Sequence, residues 1–441
     1  MKFKREHLES LKSWKSGAKH KPVLLMGARQ IGKTTLLKEF GQSAFDNVVY
    51  INFEKDQSVH QFFEGNKNPT DILDNLGIHY GQPIEVGATL LILDEIQDCR
   101  DALIALKYFE EDLPDLHIAC AGSLLGLSIG NDRSFPVGKV TFIDLQPLSY
   151  SEYLEQAHPD LYQAYWHHLD KPVSPIPDAF FHPLTMIWKE YVLFGGMPEV
   201  AVTYNKSKNI AEAIEVQEQI LRAYQLDFVK HAEKTTSTRI QHIWNSLPSQ
   251  LAKENNKFLY KVIKSGARAR EYESALQWLV ESGLVIKTSK IEEARIPLKA
   301  YEDITSFKIY AFETGLLMRH SGLNPGTYLQ GDKLFTEYKG SLAENYVASV
   351  LNKLYRDGPY YWTSKGKAEV DFVIAPDGHC IPIEVKSGTR TKAKSLSVYK
   401  ERYQPPIRIR ISNKNLKLTD DILNIPLFYA DHIDHFLSKI L

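Results

Sequence analysis

Two hydrophobic periodicities alternate along the chain. Short continuous apolar runs near 23–26, 48–53, 90–93 and 117–121 are separated by stretches with helical spacing. Unbroken runs of this length are expected of parallel strands covered on both faces. Strand and helix in alternation predict a doubly wound parallel sheet, an α/β fold, for the N-terminal third. The pattern then turns mainly helical. Trp188 to Tyr204 reads as two helices broken at Gly195-Gly196, just before Met197-Pro198. Asn209 to Phe228 is amphipathic and helical. After a helix at 239–253, Tyr272, Ala275, Leu276, Leu279 and Val280 recur on one helical face. Ser282-Gly283 stops that helix, and LVIKTSK follows as a strand, an order that resembles a winged helix. In SLAENYVASVLNKLY, the residues Leu342, Val347, Val350, Leu351 and Leu354 form a buried stripe, with Glu344 at the helix start.

The last alternating stretch is EVDFVIAPDGHCIPIEVKSG, Glu369 to Gly388. Neighbouring strand residues face opposite sides. Val370, Phe372 and Ile374 share one face of the first arm; Ile381, Ile383 and Val385 share one face of the second. Asp377-Gly378 favours a two-residue type I′ turn. That turn pairs Ile374 with Ile381, Phe372 with Ile383 and Val370 with Val385, so the apolar faces match. The same register sets Asp371 opposite Glu384, and Glu369 opposite Lys386. Facing carboxylates repel. A divalent cation between them removes the repulsion; an exposed salt-bridged pair on a solvated hairpin is the alternative. Pro382 lacks an N–H, so one ladder bond is missing or that side is an edge.

Composition narrows the class. The 441 residues, 43% of them hydrophobic, describe a soluble globular protein of roughly two to four domains. Lys+Arg 53 nearly balances Asp+Glu 54, so only local clustering of charge would announce a nucleic-acid partner. Cys99, Cys120 and Cys380 are scattered and odd in number, which points to neither a disulfide framework nor a Cys zinc site. The basic N-terminus lacks the apolar core of a signal peptide, and no run reaches the length of a membrane span. The expectation is a cytoplasmic protein without a membrane partner.

The chemistry begins at the first apolar run. It leads into Gly27-Ala28-Arg29-Gln30-Ile31-Gly32-Lys33-Thr34, the full G-x-x-x-x-G-K-T pattern, with Thr35 opening a helix-like stretch. Backbone N–H groups of such a loop surround phosphates, and glycine lets the backbone come close. Lys33 is expected to neutralise the β- and γ-phosphates of ATP, and Thr34 to ligate Mg²⁺. TLLILDEIQD supplies a buried strand ending in two carboxylates. Asp94 is placed to hold the Mg²⁺ shell, and Glu95 to polarise the attacking water. Ser123, ending the next strand, matches a polar sensor of the γ-phosphate, or is simply a serine in a βα turn.

The succession GARQIGKT, LLILDEIQ, CAGSLLG, VTFIDLQPLSYSEYL and FGGMPEV resembles a broad group of bacterial and archaeal AAA-type ATPases with a largely uncharacterised C-terminal domain. The resemblance runs on through SALQWLVESGLV, KIYAFETGLL and GSLAENYVASVL, across nearly the whole chain. It implies a small helical lid over the nucleotide around FGGMPEV. Where such proteins show Gly-Arg before the PLS segment, this chain has Gly138-Lys139. Lys139 is a poorer planar partner for phosphate acting in trans, and Arg133 is a nearby substitute.

An acid on one strand followed by Glu-x-Lys on the next resembles the PD-(D/E)XK nuclease superfamily. The resemblance implies that Asp371 and Glu384 bind Mg²⁺ or Mn²⁺, with the Val385 carbonyl nearby, Lys386 orienting water, and Glu344 adding an acid from an earlier helix. Metal-assisted phosphodiester hydrolysis is the implied chemistry. Lys386, Arg390, Lys392, Lys394, Lys400, Arg402, Arg408, Arg410, Lys414 and Lys417 follow with Glu401 the only acid among them, and Tyr399 and Tyr403 interleave. Such a basic block suits a phosphate backbone. Lys257, Lys261, Lys264, Arg268 and Arg270 precede the winged-helix stretch and suit DNA phosphates or merely a solvated face.

The expected architecture is a parallel-sheet P-loop NTPase core of AAA type (1–155), a helical lid (156–230), a winged-helix middle (231–325) and a restriction-endonuclease-like α/β domain (326–441). The expected function is Mg²⁺-dependent ATP binding and hydrolysis with a nucleic-acid-binding, nuclease-like C-terminal domain. A nucleotide-switched module that recruits DNA or a protein without cleavage is the alternative. Oligomerisation is compatible with both.

Overall fold

The computed structural model describes residues 3–17, 20–65, 67–122, 136, 138–232, 234–253, 257–330, 336–355, 358–366, 368–388 and 394–441. Ser123, Arg133, Arg390 and Lys392 lie outside them. The chain divides into two compact units. One comprises Lys4–Pro147 with Glu281–Gly283, and the other Met1–Phe3, Leu148–Val280 and Leu284–Leu441.

The first unit is built on β1 (Val23–Met26), β2 (Asn47–Asn52), β3 (Thr89–Asp94), β4 (His117–Ala121) and β5 (Thr141–Asp144). They form one parallel sheet in the order β2-β3-β4-β1-β5. Strands β1, β3 and β4 are buried along their whole length, as unbroken apolar runs require. The short, mostly exposed TFID of β5 carries no such run, which is why the pattern alone does not show it. Helices α1 (His7–Ser16), α2 (Lys33–Ala44), α3 (Pro69–Tyr80) and α4 (Arg100–Asp112) flank the sheet. Ile72, Leu76, Ala105, Leu106 and Phe109 from α3 and α4 pack on Val49, Ile51, Leu91, Leu93 and Ile118 of the strands. Chain order reverses on either side of β1, so its carboxyl end opens onto the crevice where α/β sheets bind ligands.

The second unit joins a helical region to an eight-stranded mixed sheet. The expected break between helices is observed: Asp178–Phe194 and Pro198–Ser207 are separate helices, followed by Ile210–His231. The reason for Gly195-Gly196 is more specific than a break. The Glu313 carboxylate is wholly buried and accepts the N–H groups of Gly196, Gly315 and Leu316 at 3.0, 3.0 and 2.7 Å. Gly195 has φ 81°, and a Cβ there would stand 2.3 Å from the Glu313 Oε1. The Asn345 side chain bonds the N–H and C=O of Ala311 and the Thr314 hydroxyl. Three separate stretches, FGGMPEV, FETGLL and AENY, thus form one buried hydrogen-bonded lock.

The sheet contains β6 (Val285–Ile291), β7 (Glu302–Ala311), β8 (Tyr360–Thr363), β9 (Glu369–Ile374), β10 (Ile381–Lys386), β11 (Arg408–Ser412), β12 (Lys417–Thr419) and β13 (Ile422–Pro426), in the order β12-β13-β11-β10-β9-β8-β6-β7. The order expected of a winged helix is present, since β6 and β7 pair antiparallel after the helix and Lys257 bridges Lys308 of β7, and the sheet then extends beyond it. The helix Ala269–Glu281 buries Tyr272, Ala275, Leu276 and Leu279 as predicted. The strand after it, however, pairs with β7 on one edge and with β8 on the other. An isolated wing would leave the β8 side of β6 without backbone partners, and here the following domain supplies them. The sheet therefore runs across the expected 325/326 boundary, within one compact unit.

Near the turn the hairpin register is the one the apolar pattern predicts, and the ladder ends at Phe372 and Ile383, before the predicted Asp371–Glu384 pair. Ile381 pairs with Ile374, Pro382 with Val373, and Ile383 with Phe372. Asp377 and Gly378 have φ 47° and 80°, and the His379 N–H donates to the Pro376 carbonyl at 2.9 Å, a type I′ turn. The hairpin is not an edge: β11 continues the sheet beyond β10 in parallel, so Pro382 leaves a gap in an interior ladder.

Candidate functional site

The first site is assembled by the loop between β1 and α2. Gly27 has φ 145°, and a Cβ there would stand 2.4 Å from the Leu145 carbonyl oxygen; the loop passes too close to β5's exit for any side chain. Lys33 opens α2 and is 9% exposed. Its Nζ donates to the Gly27 and Ala28 carbonyls at 3.0 and 2.8 Å, and among the described residues no carboxylate is ion-paired with it. Burial pushes its pKa down to about 8, although Glu95 and Asp94 act in the opposite sense. An ammonium held against loop carbonyls at the N-terminus of a helix is a site short of an anion.

Across from it stands Asp94, at the end of β3 and buried. The Thr34 hydroxyl donates to Asp94 Oδ2 at 2.9 Å. Tyr50 OH and Asn52 Nδ2 reach the same oxygen at 2.7 and 3.4 Å. Asn52 is the register partner of Asp94 across β2 and β3. Glu95 follows in a left-handed conformation, φ 51°, that costs a non-glycine residue energy and re-aims its side chain. Gln97 Nε2 donates to Glu95 Oε2 at 2.6 Å. The structure thus brings together Lys33, Thr34, Asp94 and Glu95. Tyr50, Asn52 and Gln97 were not expected; the signal for the first two is their alternation along β2, which leaves them outside its buried face. Lys139 bridges Glu110 and Glu111 of its own chain at 2.7 and 3.1 Å, so it is engaged rather than poised for a neighbour.

A second cluster lies on the larger sheet. Glu384 is 4% exposed, and Lys386 Nζ meets its Oε1 at 2.5 Å. Glu384 Oε2 is buried without a hydrogen-bond partner. Asp371 Oδ2 accepts the Val385 N–H at 2.7 Å, so a side chain replaces a ladder bond where the register approaches Glu384. Burial, then Glu344 and Glu384, push the Asp371 pKa well up. Burial also raises Glu384, against the pull of Lys386. Glu344 lies within the helix Thr336–Leu354 rather than at its start. Its Oε1 accepts from Lys308 Nζ at 3.1 Å and Tyr310 OH at 2.6 Å. Lys308 also meets Glu369 Oε1 at 2.7 Å. Arg410 is the register partner of Glu384 on β11, with a buried Nε that has no partner. Lys308 and Tyr310 were not expected, and Arg410 was expected only as one member of the basic block. A lysine inside the apolar stretch SFKIYAF was the available signal for the first.

The expectation about the basic block changes. Tyr399 is fully buried against Trp362, and Tyr403 OH accepts the Trp362 indole N–H and donates to Glu293, so the interleaving tyrosines pack against the core of the domain. Lys400 and Arg408 pair with Asp421, and Arg402 with Glu293. Much of the block's charge is therefore answered by acids outside it. Lys257, Lys261, Lys264, Arg268 and Arg270 are all exposed.

The donors around Asp371 and Glu384 are hard oxygens, the set preferred by Mg²⁺ and Mn²⁺. The orphaned Glu384 oxygen fits one cation. Among the described residues, no group of three or more His, Cys, Asp or Glu is arranged to hold a metal ion. No helix among them is long and apolar enough to cross a membrane.

Comparison with known proteins accords with the first site. A family model described as an AAA domain matches residues 19–154. Two others, each described as a domain of unknown function (DUF8612 and DUF4143), match residues 186–327 and 339–428. Among solved structures the chain is similar to the Walker-type ATPase PABY2304 of Pyrococcus abyssi, at 16% identity and TM-score 0.42, covering 74% of this chain and 96% of that one. It is similar to the Aeropyrum pernix ORC1 protein, solved in complex with DNA, at 12% identity and TM-score 0.29, covering 71% and 90%. The Thermotoga maritima RuvB Holliday junction branch migration motor matches at 14% identity and TM-score 0.30, covering 68% and 94%. No curated protein matches. Residues 19–154 are an ATP-binding P-loop domain of AAA type.

Proposed function

We propose that the protein is a Mg²⁺-dependent ATPase that also carries a nuclease-like, nucleic-acid-directed C-terminal domain. The observation that carries the first half is the buried Lys33 ammonium, answered only by loop carbonyls, beside the paired Thr34 and Asp94 oxygens. Phosphate oxygens replace those carbonyls as partners of Lys33. Thr34 and Asp94 present the hard oxygens that would hold Mg²⁺, whose charge offsets that developing on the phosphates. Glu95, held by Gln97, is the base that orients water. In Lys33→Ala, ATP turnover falls to background; normal turnover sinks the assignment.

The second half rests on Asp371, Glu384 and Lys386 converging on two central strands. Asp371 and Glu384 would hold Mg²⁺ or Mn²⁺, a Lewis acid that activates water, and Lys386 would steady that water and the phosphate. DNA is the proposed partner, approached through the exposed lysines and arginines at 257–270. The acids are already met by Lys308 and Lys386, and this favours a second reading: a nucleotide-switched module that binds without cutting. Incubating the protein with plasmid and single-stranded DNA, with Mg²⁺ or Mn²⁺ and with or without ATP, separates the two. Metal-dependent cutting that disappears in Lys386→Ala supports the enzyme; retention of DNA with no cutting supports the module.

A further inference from the structure

We infer that Lys308 is a resident cation of the acid cluster, filling the place of a second metal ion, so that the site takes a single divalent cation between Asp371 and Glu384. The inference rests on the proposal that those two residues hold a metal.

Lys308 comes from β7, far in sequence from the hairpin, and its side chain is 1% exposed. Its ammonium reaches Glu344 Oε1 at 3.1 Å and Glu369 Oε1 at 2.7 Å, and stands 5.1 Å from the centre of the Tyr361 ring. A buried ammonium is retained where carboxylates surround it. Tyr310 donates to the same Glu344 oxygen at 2.6 Å, so both lone pairs of that oxygen are occupied. That oxygen of Glu344 is thereby taken up by Lys308 and Tyr310. The oxygen left over lies elsewhere: Glu384 Oε2, buried and without a partner, on the far side of Asp371 in the sheet order.

Charge points the same way. Glu344, Glu369, Asp371 and Glu384 face two lysines, Lys308 and Lys386, and Arg410 stands in register beside Glu384. One divalent ion removes the deficit and leaves the site slightly positive, which suits a phosphate diester. A second would lie against the Lys308 ammonium, where like charges repel inversely with distance and burial removes the screening. Glu344 is then a positioning residue: it fixes Lys308, and Lys308 sets the number of ions.

The test is calorimetric titration of the full chain with MnCl₂, in an Asp94→Asn background that silences the phosphate-loop site. The background protein is expected to bind one ion, and Glu384→Gln none. Glu344→Gln keeps one ion, weakened by no more than about tenfold, as for loss of an outer partner. Lys308→Met takes two ions, and Lys308→Arg restores one. Should Lys308→Met fail to fold, Glu344→Gln decides: loss of the ion as complete as in Glu384→Gln makes Glu344 a ligand and overturns the inference. Two ions in the background protein overturn it as well. No ion in the background protein instead sinks the metal site itself, a separate failure.

Discussion

Two buried lysines show how differently the two halves of this molecule treat charge. Lys33 hydrogen-bonds only to carbonyl oxygens, and burial pushes its pKa down to about 8 against the weaker pull of Glu95 and Asp94. Lys308 is pulled down by burial as well, but Glu344 and then Glu369 outweigh this and drive its pKa up. An unanswered ammonium costs the fold roughly 3 kcal/mol at neutral pH, given a shift of that size. A phosphate-bearing ligand recovers that energy on binding. An answered ammonium leaves nothing for a ligand to recover. The first arrangement is a receptor; the second is a preset charge, and it leaves any deficit for another ion to fill. Only the first is visible in a local motif.

The largest effect should come from removing the receptor. Lys33→Ala is expected to reduce ATP turnover by 10³-fold or more, of the order seen when a phosphate-clamping cation is lost. It should raise rather than lower the stability of the nucleotide-free protein, since it removes an uncompensated charge. Steady-state turnover and thermal melting check the two signs together. A destabilised variant would mean that Lys33 is structurally paired, and the contrast with Lys308 would fail.

The opposite sign is expected for Lys308. Lys308→Met strands Glu344 and Glu369, and breaking a buried pair from one side costs about 3–5 kcal/mol. Denaturant unfolding monitored by near-UV signals would read the loss. A cost under about 1 kcal/mol, the range of exposed pairs, would make the network a surface-like one. The Glu313 lock is next in size. Glu313→Ala leaves the N–H groups of Gly196, Gly315 and Leu316 without their acceptor. A loss of roughly 2–3 kcal/mol follows if one or two of them find no water.

How much of this was legible depended on how far apart in sequence the partners lie. The phosphate loop, its strand and its helix are contiguous, and Asp94 ends the next buried run, so spacing alone located Lys33, Thr34, Asp94 and Glu95. The hairpin register was legible for the same reason: the Asp-Gly turn and the alternation of Phe372, Ile374, Ile381 and Ile383 are local facts. Lys308 was not, because nothing near Glu344 or Glu369 says which strand will pack across them. The joining of the β6–β7 hairpin to the C-terminal sheet stayed hidden on the same ground. Val285–Ile291 reads locally as a wing, and only β8, some 70 residues on, turns it into an interior strand. The roles of Gly195 and Glu313 stayed hidden because a glycine pair and a buried acid acquire meaning only when the lock closes.

The smallest expected effect returns to the first unit and extends the comparison from lysine to histidine. His117 opens β4, stacked on His20 at 3.9 Å between ring centres and boxed by Trp14 and Phe45. Its Nδ1 and the His20 Nε2 are buried without partners. Burial, then the neighbouring His20, lower its pKa; the hydrogen bond between its ring and the Lys15 carbonyl opposes this, the Lys15 charge adds to it, and Asp115 opposes it weakly. A histidine held neutral in the folded state gives stability that is present above the unfolded pKa of about 6.5 and is lost as pH falls through the lower folded value. The first unit should therefore weaken as pH falls from about 6.5 towards that lower value, since among the described residues His117, like Lys33, has no carboxylate hydrogen-bonded to it. Nucleotide identifies that unit, because the melting transition that ATP raises belongs to it. His117→Phe keeps the ring contacts and removes the titration, so the slope of that transition with pH should flatten while its value at pH 8 changes little. An unchanged slope would place the acid sensitivity elsewhere, and the rule that the first unit leaves its buried cations unanswered would then hold for Lys33 alone.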